Sequence, residues 1–309
     1  MSNNTSIDDT FRCTLSLHNS IAIIVVNSFF AVFGATENII VLMTVLFTPR
    51  LRGSNVGISI AALGFSDLVT TSIGHSSFAA LMASECQNEM SWFVFKPTSY
   101  YSCGVSLFVL VHMSVDRCLA ICSPFRYKII VTPSRSKTVL SCLLVGTLIP
   151  VIGSLFVKVA FVVEAYCMFI VLFVCFVVIV ACYITILVRL VKQSHVRSTL
   201  QNEHSNQNQS TFQTNKRLAK TVALVIGAFT LSWSPLAFVL VNSVATNPFA
   251  SSTSAWPVTV GLMSSSCNPL IYFYRSEEFR VATKDILRRC GCPVGRASSR
   301  VCPRRALAM

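Results

Sequence analysis

The amino-acid sequence predicts an all-α membrane protein built as a bundle of seven transmembrane helices. Three observations carry that prediction. Hydrophobic residues make up 53% of the 309 residues and charged ones only 12%. Soluble domains carry about 25% charged residues, so a soluble globule of this size could not clothe its surface. Seven stretches reach or approach the ~20 apolar residues that a helix needs to cross the hydrocarbon core. Finally, the chain has a net charge of +13, and its cations fall almost entirely in alternate connections between those stretches. Gly (12) and Pro (11) are too scarce for a collagen-like or disordered chain.

Residues 1–20 are polar and acidic, without the basic-then-apolar order of a cleavable signal. The first span is therefore expected to act as its own insertion signal. It covers 21–47 and carries one charge, Glu37. The second, 55–83, carries Asp67, with His75 further along. The third, 94–122, is uncharged from Pro97 to Val115 and runs on through Asp116 and Arg117. The fourth, 137–157, is uncharged from Thr138 onward, and the fifth, 162–191, from Ala165 to Val188. The sixth, 216–246, is uncharged from Thr221, and the seventh, 250–274, has no charge. The second, third and seventh are rich in Ser, Thr and Gly and should score weakest in hydropathy. Alternation at strand period is absent, which excludes a transmembrane barrel. Gln193–Thr214 is polar and low in complexity and reads as a flexible loop between the fifth and sixth spans.

Orientation follows from the basic residues. The first, third and fifth connections and the C-terminal segment hold two, five, six and nine Lys and Arg, 22 of the 25. Arg12, Lys96 and Lys158 are the rest. This places the N-terminus outside, the C-terminus in the cytoplasm and the protein in the plasma membrane, with part of the charge lying against anionic lipid. Overlapping sequons at Asn3 and Asn4 agree, because glycans are added on the outer face. The sequon at Asn208 would be silent on the inner face. A nucleic-acid partner is excluded, since no basic face with stacking aromatics is present.

Ionisable groups inside a membrane are costly and mark function by default. Asp67, with Ser106 of the third span and Asn268 of the seventh at matching depth, forms either a hydrogen-bonded structural cluster or a site for a small hard cation such as Na⁺. Glu37 and His75 face either the bundle or an interface, and for His75 polar packing is the simpler reading. Pro235 and Pro269 fall inside the sixth and seventh spans, where each frees a backbone carbonyl and bends the helix. Kinked helices suit a bundle that switches between two packings.

Several motifs stand in register with these spans. Asn38 lies in the first, and Leu63–Leu68 (LGFSDL) surrounds Asp67. Asp116-Arg117-Cys118 closes the third, followed by Ile121, Pro124 and Phe125-Arg126-Tyr127. Phe229, Trp233 and Pro235 (FTLSWSP) lie in the sixth, Asn268-Pro269-Leu270-Ile271-Tyr272 in the seventh, and Phe279-Arg280 after it. In this order the chain resembles the rhodopsin-like (class A) G-protein-coupled receptors from Asn38 to Arg280, about four-fifths of its length. The matches are to the helix-one asparagine, L-A-x-x-D-L, D-R-Y, F-x-x-C-W-x-P (with Ser232 for Cys) and N-P-x-x-Y. The resemblance also implies a short amphipathic eighth helix over 276–290 and a cytoplasmic tail over 291–309.

The resemblance implies a receptor, not an enzyme, that binds an extracellular ligand and activates a heterotrimeric G protein. Asp116, Arg117, Pro124, Tyr183 and Tyr272 would serve the coupling, with Arg117 paired to Asp116 when idle and the two tyrosines stabilising the open form. Phe229, Trp233, Pro235, Asn268 and Pro269 would form the switch. The family often places an acid at the base of helix six to clamp the arginine. Here Asn215 occupies that place, so a weaker idle state with basal signalling is expected.

Departures limit the analogy. Trp92 stands where the family has its helix-three cysteine, and Cys103, 14 residues before Arg117, lies about 21 Å from it, within the bilayer. Cys86 and Cys167 are then the candidates for a substitute disulfide, with Cys13 as a third. Cys175 replaces the helix-five proline, and the helix-four tryptophan is missing. Cys290 and Cys292, after the basic eighth helix, suit S-palmitoylation, with free thiols as the alternative.

The retinal-binding lysine of an opsin is absent, since no lysine lies between Lys220 and Lys284. Ser99 occupies the place of the aminergic aspartate, and the N-terminal segment is too short for a hormone-binding domain. What remains is a mouth between spans two, three, six and seven, with Lys96, Ser99, Tyr100, Tyr101 and Trp233 around it, for a small molecule or short peptide. Lys96 either meets an anionic group or snorkels to the interface. Val131-Thr132-Pro133-Ser134-Arg135 and the serines before Asn268 faintly resemble invertebrate chemosensory-type and neuropeptide-type receptors. A secondary transporter is the rival class, but it would show two related halves. An intramembrane enzyme would need a nucleophile–base pair or a metal cluster.

Overall fold

The computed structural model describes residues 15–156, 161–199, 206–242 and 252–289. Among them every regular element is helical. Helix α1 (Leu17–Phe47) begins four residues before the expected start because Ser16 caps it, its hydroxyl accepting the Asn19 N–H. Its buried stripe is Ile23, Asn27, Gly34, Asn38, Val41, Thr44 and Val45, and the remaining faces carry exposed apolar residues such as Val25, Phe29 and Val32. That inversion suits a helix solvated by lipid. The one-turn α2 (Pro49–Arg52) opens on proline and ends at Gly53.

The second span is α3 (Asn55–Val69), a π turn (Thr70–Gly74) and α4 (His75–Ala83). The expected limits agree, and the π turn, which periodicity alone does not disclose, rotates everything after it relative to α3. A tight turn with positive φ at Glu85 and Cys86 leads to α5 (Glu89–Cys122), capped by Asn88 through the Ser91 N–H at 3.1 Å. The cap moves the start of this helix five residues ahead of the expected one.

Short α6 (Pro124–Ile130) precedes the fourth span, α7 (Pro133–Gly146) and α8 (Leu148–Phe156). Then come α9 (Phe161–Thr199), α10 (Asn206–Asn242), α11 (Ser252–Arg275) and α12 (Glu277–Arg289). The loop expected over 193–214 is much shorter. Helix α9 runs to Thr199 and α10 starts at Asn206. That stretch contains no Gly or Pro, so nothing stops the backbone ladder where it leaves the membrane.

Among the described residues, six helical segments are long and apolar enough to cross a membrane. The second and third spans, expected to be weak, are among them, and α11 is not. Its polar residues explain this: Ser254, Thr259, Ser264, Ser265, Ser266 and Asn268 are all buried. Helix α11 therefore turns its polar side to the bundle and is held by hydrogen bonds more than by hydropathy.

Helix α5 runs through the centre, against α3, α4, α9 and α10, while α1 packs on α3, α4 and α11. At Gly34 a Cβ would collide with the Ser266 hydroxyl and Thr71, so a glycine is required where α1, the π turn and α11 meet. Helix α12 turns back to α1. Thr44 and Thr283 share a 3.1 Å hydrogen bond, and Arg50 pairs with Glu278 at 2.9 Å. Phe279, 1% exposed, wedges against the rings of Tyr272 and Phe273.

Candidate functional site

Three polar or hollow regions are stacked along α5. At the end where α6 begins, Asp116 and Arg117 are both buried. Arg117 Nε donates to Asp116 Oδ2 at 2.8 Å, and Nη2 contacts the same oxygen. Pro124 starts α6, whose first turn brings Tyr127 back over the pair. The Tyr127 hydroxyl donates to Asp116 Oδ1 at 2.9 Å and accepts from Arg117 Nη2 at 3.4 Å and Asn55 Nδ2 at 3.1 Å. Asn55 also donates to the Val131 carbonyl, and its own oxygen accepts from Ser136 at 3.2 Å. Burial, then the neighbouring Asp116 charge, holds the Tyr127 phenol above its ordinary value. It therefore stays a neutral donor.

The sequence marks Asp116, Arg117 and Pro124 but not the roles of Asn55, Tyr127 and Ser136. These three come from separate helix starts, and no local pattern joins them. Nearby, the Tyr183 hydroxyl donates to the Ala219 carbonyl at 3.1 Å, tying α9 to α10. Tyr272 is buried with its hydroxyl unpaired. Asn215 lies in α10, with its side chain outside what is described.

Half-way along the bundle, Asp67 is 1% exposed and its Oδ2 accepts from Asn268 Nδ2 at 2.8 Å. Its Oδ1 has no hydrogen-bond partner, although the Ser106 and Ser265 hydroxyls face the carboxyl. Ser106 shares a 3.2 Å bond with Ser66, which donates to the Ser102 carbonyl at 3.0 Å. The structure thus brings Asp67, Ser106 and Asn268 together and adds Ser66 and Ser265. Asn38 reaches the Ser265 carbonyl at 3.1 Å.

A second polar group joins α1, α4 and α11. His75 Nδ1 meets Asn27 Oδ1 at 2.7 Å, and Asn27 Nδ2 donates to Thr259 Oγ1 at 3.0 Å. His75 is fully buried and stacks on Phe30, so it faces the bundle as a packing group. Glu37 lies half-buried on α1 with Oε2 unpaired.

Toward the other end, α5, α9, α10 and α11 enclose a cavity of about 370 Å³. Lys96, Ser99, Tyr100 and Trp233 all line it. Tyr101 does not, and no lining residue comes from the second span. The expected mouth beside span two is closed because Phe78 of α4 packs on Phe95 of α5, with ring centroids 4.9 Å apart. Span five takes its place. Trp233 rests against Phe229 and donates Nε1 to Ser264 Oγ at 3.3 Å. Pro235 follows within α10, and Pro269 lies within α11 next to Asn268.

The Cys86–Cys167 bridge is not formed. Cys167 is a free, exposed thiol, whereas Cys86 is disulfide-bonded. Cys86 packs against the cluster of Ile23, Phe78, Leu81 and Phe95, while Cys167 belongs to α9, which packs on α5 and is tied to α10. The partner of Cys86 lies outside the described residues, as do Asn3, Asn4, Cys13, Cys290 and Cys292. Among the described residues no group of His, Cys, Asp and Glu could hold a metal ion.

The bundle thus has a cavity toward one end and a buried Asp116–Arg117 pair at the other. The model of the 7-transmembrane receptor (rhodopsin family) matches residues 37–272, and the chain belongs to that family. It is 24% identical to an alpha-1A adrenergic receptor of Cavia porcellus, over 91% of this chain and 72% of the relative. It is 26% identical to a cannabinoid receptor type 1B of Takifugu rubripes, over 92% and 67%. The alpha-1A adrenergic receptor of Rattus norvegicus is 24% identical over 83% of this chain and 66% of its own length. These relatives are receptors and not enzymes, and the chain is accordingly a multi-pass protein of the plasma membrane.

Proposed function

We propose that this receptor takes a small extracellular ligand, or a short peptide, in the cavity above Trp233 and activates a heterotrimeric G protein through Arg117. The observation that carries the reading is the shared helix α10. Its Trp233 lines the cavity, its Pro235 lies within the helix two residues on, and its Ala219 is held by Tyr183 toward the Arg117 end. A ligand that displaces Trp233 would swing the far end of α10 and free Arg117 to meet a Gα subunit.

The N-terminus is then outside, as the 22 inward cations imply. Asn3 and Asn4 would carry glycans, and Cys290 and Cys292 acyl chains. A Na⁺ ion would fit Asp67 Oδ1 with the Ser106 and Ser265 oxygens, because a buried carboxylate oxygen without a partner is expensive. Ser99 in the aminergic aspartate's place argues against an amine such as the adrenergic relatives' name denotes.

The test is agonist-dependent GTP exchange on a co-expressed promiscuous Gα, screened with a ligand panel. Substrate flux without exchange would instead make the chain a transporter. Exchange above empty-cell background without any ligand is also expected, because Asn215 offers no charge to clamp Arg117.

Cys13 is the expected partner of Cys86. It lies two residues from Leu15, which packs on the same cluster as Cys86, while Cys290, Cys292 and Cys302 come after α12 in the sequence. Non-reducing peptide mapping should recover a Cys13–Cys86 peptide, and any other partner refutes the assignment.

A further inference from the structure

We propose that the cavity takes a single-chain lipid with an anionic head, admitted from the bilayer between α9 and α10; this rests on reading the cavity as the receptor's ligand site. Its wall decides the tail. Phe95, Leu107, Leu110, Leu172, Ile179 and Ile226 are typical of the lining, which contains no Asp or Glu among the described residues. A peptide or an amine would leave hydrated groups against that wall without partners, at a cost an acyl chain does not incur. The volume of about 370 Å³ falls within the ~300–1,000 Å³ range of ligand sites.

The entrance is read from α9. Phe173 and Phe176 line the cavity yet are 69% and 47% exposed, as expected where only a thin wall separates the hollow from the bilayer. Few close approaches join α9 to α10 among the described residues. Here Thr230 and Ser234 of α10 are likewise both exposed and lining. A ligand dissolved in the bilayer meets this seam without crossing the water-facing end.

The head group is assigned by the α5 face. Among the described residues Lys96 is the one charged residue of the lining, its Nζ 5.8 Å from the centre of the Tyr100 ring. A lysine carries three donors, so it holds a ligand oxygen alongside a ring contact. One turn on, Ser99 Oγ is buried without a hydrogen-bond partner. A hydroxyl left unpaired in an apolar wall is satisfied by a carboxylate or phosphate oxygen placed between the two.

The chain holds three tryptophans. A variant with Trp92→Phe and Trp256→Phe keeps Trp233 alone as a reporter at the cavity, and one with Trp92→Phe and Trp233→Phe keeps Trp256 as a bilayer reference. Each is placed in phosphatidylcholine nanodiscs and titrated with 9,10-dibromostearate, whose bromines quench indole on contact. Saturable quenching of Trp233, reversed by oleate and absent from Trp256, is expected. The methyl ester of the probe should bind at least about tenfold more weakly, and Lys96→Gln should erase that difference, the loss of one charge-assisted contact.

Quenching of Trp233 that rises linearly and tracks Trp256 overturns the site, and equal binding of acid and ester overturns the head-group assignment. Thermal melting checks that the variants fold. If they do not, scintillation-proximity binding of tritiated oleate to the unsubstituted chain reads the same competition. No G protein is present in this assay. Saturable binding with no GTP exchange would therefore sink the receptor reading alone, and exchange driven by a water-soluble ligand with linear quenching would sink the lipid alone.

Discussion

Arg117→Ala is expected to reduce ligand-driven GTP exchange to empty-cell background. Arg117 is 4% exposed and spends its donors on Asp116 and Tyr127, so it is a charge stored out of water and available to a partner once α10 moves. A structural role alone would give a different result. Removing one member of a buried pair costs about 3–5 kcal/mol because the other charge is left stranded, and the chain could lose signalling simply by unfolding. Arg117→Lys separates the two. It keeps a cation beside Asp116 but loses the planar fork that reads carboxylate and carbonyl groups together. Surface amounts of the lysine variant should approach those of the parent while exchange remains far below it. Parent-like exchange from either variant at matched surface amount would remove Arg117 from the coupling site.

Tyr127→Phe should act in the opposite direction and raise ligand-independent exchange. Its hydroxyl donates to Asp116 Oδ1 and accepts from both Asn55 and Arg117, so deleting it takes a partner from two buried groups and from the half-buried Asn55 in the idle packing. A lost buried partner costs about 1–3 kcal/mol. At about 1–2 kcal/mol the idle-to-active ratio shifts roughly five- to thirty-fold, while the active packing, in which Arg117 has left, loses little. Asn55→Ala should shift the same way by less, because Tyr127 then still reaches Asp116. Basal exchange unchanged in both variants would show that the network serves packing alone.

The spans were legible because lipid demands an apolar run of fixed length, and the second was placed at both ends. Limits set by capping were not, since Ser16 and Asn88 start their helices from polar positions that a hydropathy window discards. The over-long loop at 193–214 came from equating polarity with irregular structure, although nothing in it breaks a helix. Asp67, Asn268 and Arg117 announced themselves as polar groups out of place. Tyr127, Asn55 and Ser136 are ordinary residues at helix starts, brought together only by the fold. The cavity lies beside span five and not span two because of how Phe78 and Phe95 face each other across two successive helices, which is set by tertiary packing and not by local pattern. The disulfide failed for the same reason.

The hydrogen bonds of the bundle are unevenly shared. Asn27 to Thr259, Asn38 to Ser265, Thr44 to Thr283 and Asn268 to Asp67 stitch the first, second and seventh spans and α12 into one frame. Among the described residues, α10 is joined to its neighbours by side-chain bonds at Tyr183 and Trp233. If α10 is the element that a ligand moves, as proposed, it would swing against this frame as a lever against a stator, with these two bonds, one at the cavity and the other beside Arg117, among those it would release.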